Sequence, residues 1–300
     1  MRILRGIQPG NPCVLALGTF DGIHRGHSVL LEKTLREAAE RHTEATVCTF
    51  DRIPAAVLHP ERRTGMLMTA EERLLELERR GFDSVCLIPF NAETMSITAE
   101  EFMTVLTENL HPVQMVVGFD YRFGRDALGD PELLARFGEK AGFGVTVTDA
   151  VEEDGIKISS TRIRQELENG NIAKANALLG YEYSLEGTVV HGKGIGRTLG
   201  FPTANIEVPE EKQLPAFGVY ACELTWNDMS RKAVVNIGLQ PTLPSGKVTV
   251  EAFVPDGEYD LREKSVRLTL KTRIRGEKKF GSVDELKRQI AEDVKTAEKL

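Results

Sequence analysis

The chain has 300 residues, of which 41% are apolar and 28% charged, and it carries a formal net charge of −7 at neutral pH. That length is enough for two domains, each with its own core. The negative balance excludes a nucleic-acid binder that relies on a broad basic surface, but not a local basic pocket for a small anion.

From residue 13 to about 180, strand-like and helix-like patterns alternate. Apolar runs predict strands over 13–17, 45–50, 84–89, 115–118 and 144–148. Apolar residues at helical spacing predict helices over 25–41, 70–80, 98–109, 131–141, 160–169 and 172–179. Thr69 and Thr98 each precede an Ala-Glu-Glu and read as N-caps, while Gly81 and Gly142 read as C-terminal stops. This alternation implies an α/β fold, Rossmann-like, with a parallel sheet covered on both faces and ligands bound beyond the carboxyl ends of its strands. After Gly180 the pattern changes to strands at 183–190, 218–226, 231–237, 248–254 and 264–271, separated by Gly and Pro turns. That part is expected to be all-β, a small antiparallel barrel. An amphipathic helix over about 283–299 closes the chain, with Leu286, Ile290, Val294 and Ala297 inward. The expected domains are 1–180 and 181–300.

Cys13, Cys48, Cys86 and Cys222 stand singly in apolar runs and read as small buried hydrophobes, with no CxxC pair for zinc. The N-terminus lacks a signal-type apolar segment, and no apolar stretch is long enough to span a bilayer. A cytoplasmic protein without membrane or nucleic-acid partners, a monomer or weak homo-oligomer, is the expectation.

The most informative segment is Gly18-Thr19-Phe20-Asp21-Gly22-Ile23-His24-Arg25-Gly26-His27. It joins a buried strand to the helix that the strand feeds. Unpaired backbone N–H groups at such a helix start favour phosphate, and the glycines let the backbone approach a ligand. His24 and His27, three apart, would share a face on the first turn and stabilise charge developing at phosphorus.

A second glycine-dense segment runs from His191 to Gly200, with Gly192, Gly194 and Gly196, and ends in Phe201-Pro202-Thr203-Ala204-Asn205. It lacks the Gly-Lys-Ser/Thr ending of a Walker A loop. On an extended strand Thr203 and Asn205 project to one side, and their oxygens suit Mg²⁺ carrying nucleotide phosphates.

The 18–27 segment resembles the signature of the HxGH nucleotidyltransferases. Gly118-Phe119-Asp120-Tyr121-Arg122-Phe123-Gly124 and Ile158-Ser159-Ser160-Thr161-Arg162-Ile163-Arg164 resemble two further motifs of FMN adenylyltransferase. The glycine loop with Pro-Thr-Ala-Asn resembles riboflavin kinase. Together they resemble the bacterial bifunctional riboflavin kinase/FAD synthetase family across residues 13 to 298. The resemblance implies ATP-dependent phosphorylation of riboflavin to FMN, then adenylylation of FMN by a second ATP to FAD and pyrophosphate. In the first site it implies nucleotide contacts from Gly18, Phe20, Asp21, Gly26, Ser159, Ser160, Thr161 and Arg164. Charge stabilisation there would come from His24, His27, Arg164 and Mg²⁺, with no protein nucleophile. Asp120 reads as a flavin or nucleotide contact or as a turn residue. Phe119, Tyr121 and Phe123 read as walls of a flavin site or as core. In the second site Gly192–Gly200 would cover the phosphates, Thr203 and Asn205 would hold Mg²⁺, and Glu251 would be the base. Arg275 and Phe280 read equally as flavin contacts or as barrel-to-helix packing.

Two segments depart from the family pattern. Thr49-Phe50-Asp51-Arg52-Ile53-Pro54 stands where Thr-Phe-x-Pro-His-Pro is usual, so Arg52-Ile53 replace Pro-His, and Ala252-Phe253 follow Glu251 where Val-His is usual. These leave open the loss of one activity, or a flavin-binding regulator without turnover. A cytidylyltransferase is disfavoured by the Pro-Thr-Ala-Asn barrel.

Overall fold

The computed structural model describes residues 1–300 except 63, 193–195, 197–199, 240–247, 258 and 300. The chain divides into two compact units, Met1–Ser160 and Thr161–Leu300.

The first unit contains strands β1 Arg2–Arg5, β2 Cys13–Leu17, β3 Glu44–Phe50, β4 Ser84–Ile88, β5 Pro112–Gly118 and β6 Gly144–Thr148. They form one sheet in the order β1-β4-β3-β2-β5-β6, with every neighbouring pair parallel. Its helices are α1 Arg25–Arg41, α2 Pro54–Leu58, α3 Ala70–Arg79, α4 Ala92–Ser96, α5 Ala99–Leu110 and α6 Pro131–Ala141. A hairpin of β7 Glu152–Glu153 and β8 Ile156–Lys157 ends the unit. Strand β2 is buried along its whole length because both its faces are covered. Val14 and Ala16 pack with Leu30, Leu31 and Ala38 of α1 and Leu77 of α3. Cys13, Leu15 and Leu17 face the other way, onto Phe102, Met103 and Leu106 of α5 and Leu134 of α6.

Thr69 and Thr98 both form full capping boxes with the glutamates three residues on, as their spacing predicts. Gly142 ends α6 in the left-handed conformation. The short β1, with Arg at both ends, carried too little apolar pattern to be predicted.

Chain order makes β2 the centre of the sheet. From β2 the chain proceeds to β3 and β4 on one side, then returns to place β5 on the other. The strand order therefore reverses between β2 and β5, and the crevice beyond their carboxyl ends is where ligands bind in such sheets. Residue 18 leaves β2 there, and residue 119 leaves β5 there.

The second unit takes in α7, Ser160–Glu168, from its second residue, and α8, Ile172–Leu179. The compact units divide at 160/161, ahead of the expected junction at 180/181, and both helices bond to the barrel. Ala216 N–H donates to Leu167 O at 2.8 Å. Asn176 Nδ2 donates to Leu270 O at 3.2 Å, and Tyr183 N–H donates to Asn176 Oδ1 at 2.8 Å. The barrel is closed and antiparallel. Its strands are β9 Ser184–Val190, β10 Thr203–Glu207, β11 Gly218–Trp226, β12 Met229–Leu239, β13 Val248–Phe253 and β14 Ser265–Gly276. Their order is β10-β13-β12-β11-β14-β9. Leu185, Tyr220, Leu224, Val235, Leu268 and Leu270 are fully buried. Val219, Ala221 and Val234 turn outward under Val294 and Ala297 of the terminal helix, Val283–Glu298.

That helix also buries a charge. Asp293, 2% exposed, accepts from Arg275 Nε at 3.1 Å and Nη2 at 2.9 Å. Arg275 therefore serves barrel-to-helix packing, with its guanidinium also over the Phe280 ring at 5.7 Å. All four cysteines are free and buried. Removing one partner of such a buried pair leaves the other charge poorly compensated. Asp293→Ala is expected to destabilise the second unit by about 3 kcal/mol, read as a lower urea midpoint of the full chain.

Candidate active sites

In the first unit, β2 stops at Leu17 and α1 begins at Arg25, so residues 18–24 make the turn. His24 is not on the helix but caps it: its Nδ1 accepts the His27 N–H at 3.3 Å. An accepting Nδ1 places the proton of the neutral imidazole on Nε2. The two rings stack with centroids 3.7 Å apart and 15° between planes. The Phe20 ring meets His27 edge-on at 5.4 Å. The expected pair is thus assembled, but by stacking across a cap rather than along one helix face.

Burial, helped by the charge of Lys157, pushes His24 down to about 4. Burial, then His24, Arg73 and Arg80, holds His27 well below the usual imidazole range. Both rings are neutral at pH 7 and would meet an anion as N–H donors. His27 Nδ1 is buried without a hydrogen-bond partner among the described residues.

The backbone of the turn is strained in a fixed way. Phe20 and Ile23, both fully buried, have φ of 47° and 35°. Asp21, 2% exposed, accepts the N–H groups of Leu67 and Met68 at 2.9 and 3.2 Å. Its carbonyl accepts the Ser160 hydroxyl at 2.9 Å. Gly18 N–H bonds to Cys48 O at 3.3 Å, and Gly26 lies against the His24 ring. Ser159 and Ser160 end this unit; Thr161 and Arg164 follow on α7 in the second.

The sequence reading missed Arg73. This α3 side chain is 1% exposed and donates to Thr19 O at 3.1 Å and to Phe50 O. It ties the loops leaving β2 and β3 together, and Thr49 Oγ1 joins at the same Thr19 carbonyl at 3.0 Å. An arginine within a helix of alternating charges gives no sign in sequence that it turns inward.

Lys157 was also missed. It pairs with Asp120 and lies 4.8 Å from the centre of the Phe119 ring. Both charges act on His24, so they flank the histidine pair. The Asp154-Gly155 turn of the β7–β8 hairpin, with φ of 57° and 70°, was the available signal. Of the three aromatics after β5, Phe123 is core, 5% exposed among Phe102, Leu134 and Phe143. Phe119 is 44% exposed and remains at the crevice. In the unusual segment, Ile53 is 4% exposed and precedes Pro54 at the start of α2. An apolar side chain is thus buried there.

In the barrel, strand register assembles the second site. Asn205 on β10 lies opposite Glu251 on β13, which lies opposite Asn236 on β12. Residues directly opposite project to the same side. Asn236 also lies opposite Val219, which faces the terminal helix, so the whole row is on the barrel's outer face. Thr203 shares that face two residues from Asn205. Burial raises the Glu251 carboxyl above its ordinary value. A β-carbon at Gly192 would collide with the Asn205 carboxamide, and one at Gly196 would lie 3.0 Å from Thr203 Oγ1. Gly192 is therefore pressed onto Asn205 and Gly196 onto Thr203. Gly194 lies outside the described residues. Asn236-Ile237-Gly238 resembles the family in sequence, and the pairing of β12 with β13 sets Asn236 beside Glu251.

A phosphate-type crevice on a parallel sheet, joined in one chain to a barrel bearing a carboxylate beside a glycine loop, defines a two-module nucleotide-dependent transferase. The matches are specific: a family model described as FAD synthetase matches residues 7–162, and one described as riboflavin kinase matches 179–300. The Escherichia coli K12 bifunctional riboflavin kinase/FMN adenylyltransferase is 38% identical over 99% of this chain and 97% of its own. The Pseudomonas fluorescens protein of the same name is 33% identical over 100% and 98%. A crystal structure from Streptococcus pneumoniae, described as a macrolide-efflux protein, superposes with a TM-score of 0.90 at 31% identity over all of both chains. The chain belongs to the bifunctional riboflavin kinase/FMN adenylyltransferase family. Among the described residues, no helix is long and apolar enough to cross a membrane.

The neutral His24 carries a pH signature. Its folded pKa of about 4 lies below the unfolded 6.5, so the unfolded chain binds more protons between them. Stability should fall as pH drops from 6.5 towards 4, by about 3 kcal/mol from this group. His24→Gln should flatten that slope in urea midpoints measured across the range.

Proposed function

We propose that the barrel transfers the γ-phosphate of ATP to the ribityl 5′-hydroxyl of riboflavin, and that the first unit joins the resulting FMN to AMP from a second ATP. The observation that carries the first step is the register Asn205–Glu251, with Gly192 pressed on Asn205 and Gly196 on Thr203. Glu251 accepts the hydroxyl proton as the oxygen bonds to phosphorus and ADP leaves. Burial makes this carboxylate a better base than an exposed one.

Thr203 and Asn205 fit Mg²⁺: a hydroxyl and an amide oxygen share one face, in a cradle that a β-carbon at Gly192 or Gly196 would fill. Bound there, the ion would neutralise charge on the phosphates. Glycines 192 and 196 bring backbone against the same phosphates.

In the second step an FMN phosphate oxygen attacks the α-phosphorus, and pyrophosphate leaves. The nucleophile is already anionic, so no base is required. His24 presents Nε2–H, and α1, which His24 caps, turns the positive end of its dipole to the developing charge. Ser159 and Ser160 add hydroxyls, Asp21 and Arg73 hold the turn in shape, and Asp120 with Phe119 borders the flavin side.

The deciding experiment is one incubation with riboflavin, ATP and Mg²⁺ resolved by chromatography, in which FMN and then FAD should appear. His27→Ala is expected to lower FAD formation from supplied FMN by about 100-fold or more while FMN formation stays within about twofold. Glu251→Gln is expected to lower FMN formation by about 100-fold or more and leave FAD formation from FMN intact. Unchanged riboflavin phosphorylation in Glu251→Gln removes the base assignment.

A further inference from the structure

We infer that Asn236 is the acceptor-side residue of the barrel site, where its carboxamide hydrogen-bonds the polyhydroxy chain of the alcohol beside Glu251; this rests on the kinase reading of the barrel. Glu251 occupies the middle of a row that runs Asn205, Glu251, Asn236 across β10, β13 and β12. Side chains at such opposed positions have β-carbons about 5 Å apart, within reach of one small hydroxylated group.

The two ends of the row differ. The Asn205 end is closed by Gly192, which has no room for a β-carbon beside the Asn205 carboxamide. Phosphate-bearing substrate is therefore held on the β10 side. The Asn236 end is open: Asn236 is exposed while its neighbours Val235 and Ile237 are fully buried. One strand further on, the position opposite Asn236 is Val219, buried under the terminal helix. Asn236 is thus the last polar position in the row before the surface becomes apolar.

An alcohol that is to lose its proton to Glu251 while facing the γ-phosphate must come from the side opposite the phosphates, which is the β12 side. There it meets a group that both donates and accepts, matched to vicinal hydroxyls that do the same. Two residues along β12, on the same side, the Glu277 carboxylate crowds Gly238. This adds a second polar group to that approach. A sheet-facing apolar substrate would find no reason for this pairing, whereas a polyol would.

The test uses the full-length protein and two acceptors: riboflavin, and a flavin whose N10 chain is 5-hydroxypentyl and so lacks the secondary hydroxyls. Asn236→Ala should lower kcat/KM for riboflavin about tenfold, leave the hydroxypentyl flavin within about twofold, and leave the KM for ATP unchanged. Retained phosphorylation of the hydroxypentyl flavin in the same preparation shows that the barrel of the variant is folded. An equal fall with both acceptors, an effect confined to the KM for ATP, or no change with riboflavin overturns the assignment. Wild-type protein that forms no FMN at all overturns the kinase reading itself, a result separate from any of these.

Discussion

A buried guanidinium shapes the first site. Arg73 has almost no contact with solvent, and its Nη1 and Nη2 donate to the backbone carbonyls of Thr19 and Phe50, in the segments that leave β2 and β3. A charge in that position is tolerable only with carbonyl oxygens and carboxylates around it. Asp21 and Asp51 both act on it. By holding the Thr19 and Phe50 carbonyls together, Arg73 fixes the turn after β2 against the loop leaving β3. It also adds to the field that keeps His27 neutral. The strained φ values at Phe20 and Ile23 persist because both side chains are locked in the core below.

The barrel reaches a comparable end by different means. Closure of the sheet fixes the register, and the register fixes which polar groups stand beside Glu251. Alternation then sends Val250 and Ala252 inward and Glu251 outward. The terminal helix covers the neighbouring apolar part of the outer face and is itself held by the Arg275–Asp293 pair. Polar row and apolar patch are consecutive stretches of one surface.

Much of the layout was legible because local rules and global fold agree here. Threonine caps, helical spacing in α1 and α5, and apolar runs in β2 and β4 each state their structure within a few residues. The histidines and the Ser-Ser-Thr segment could be picked out because they sit at strand ends and helix starts. Arg73 and Lys157 could not, nor could the place of Asn236 beside Glu251. Each acquires its place through a partner far along the chain: Phe50 and Thr19, Asp120, and Glu251. Phe123 shows the converse, since its neighbours in sequence suggest a ligand wall and its neighbours in space make it core.

The sequence by itself determined the two folds, the two glycine-containing turns and the chemical groups available to each, because these depend on residues close together in the chain. Only the tertiary structure showed that α7 and α8 bond to the barrel, through Leu167 with Ala216 and Asn176 with Leu270. It alone decided the charge state of the histidine pair, because burial and stacking set that, not spacing. It alone ordered Asn205, Glu251 and Asn236 into a row, since strand register is fixed by closing the barrel and not by any short segment within it.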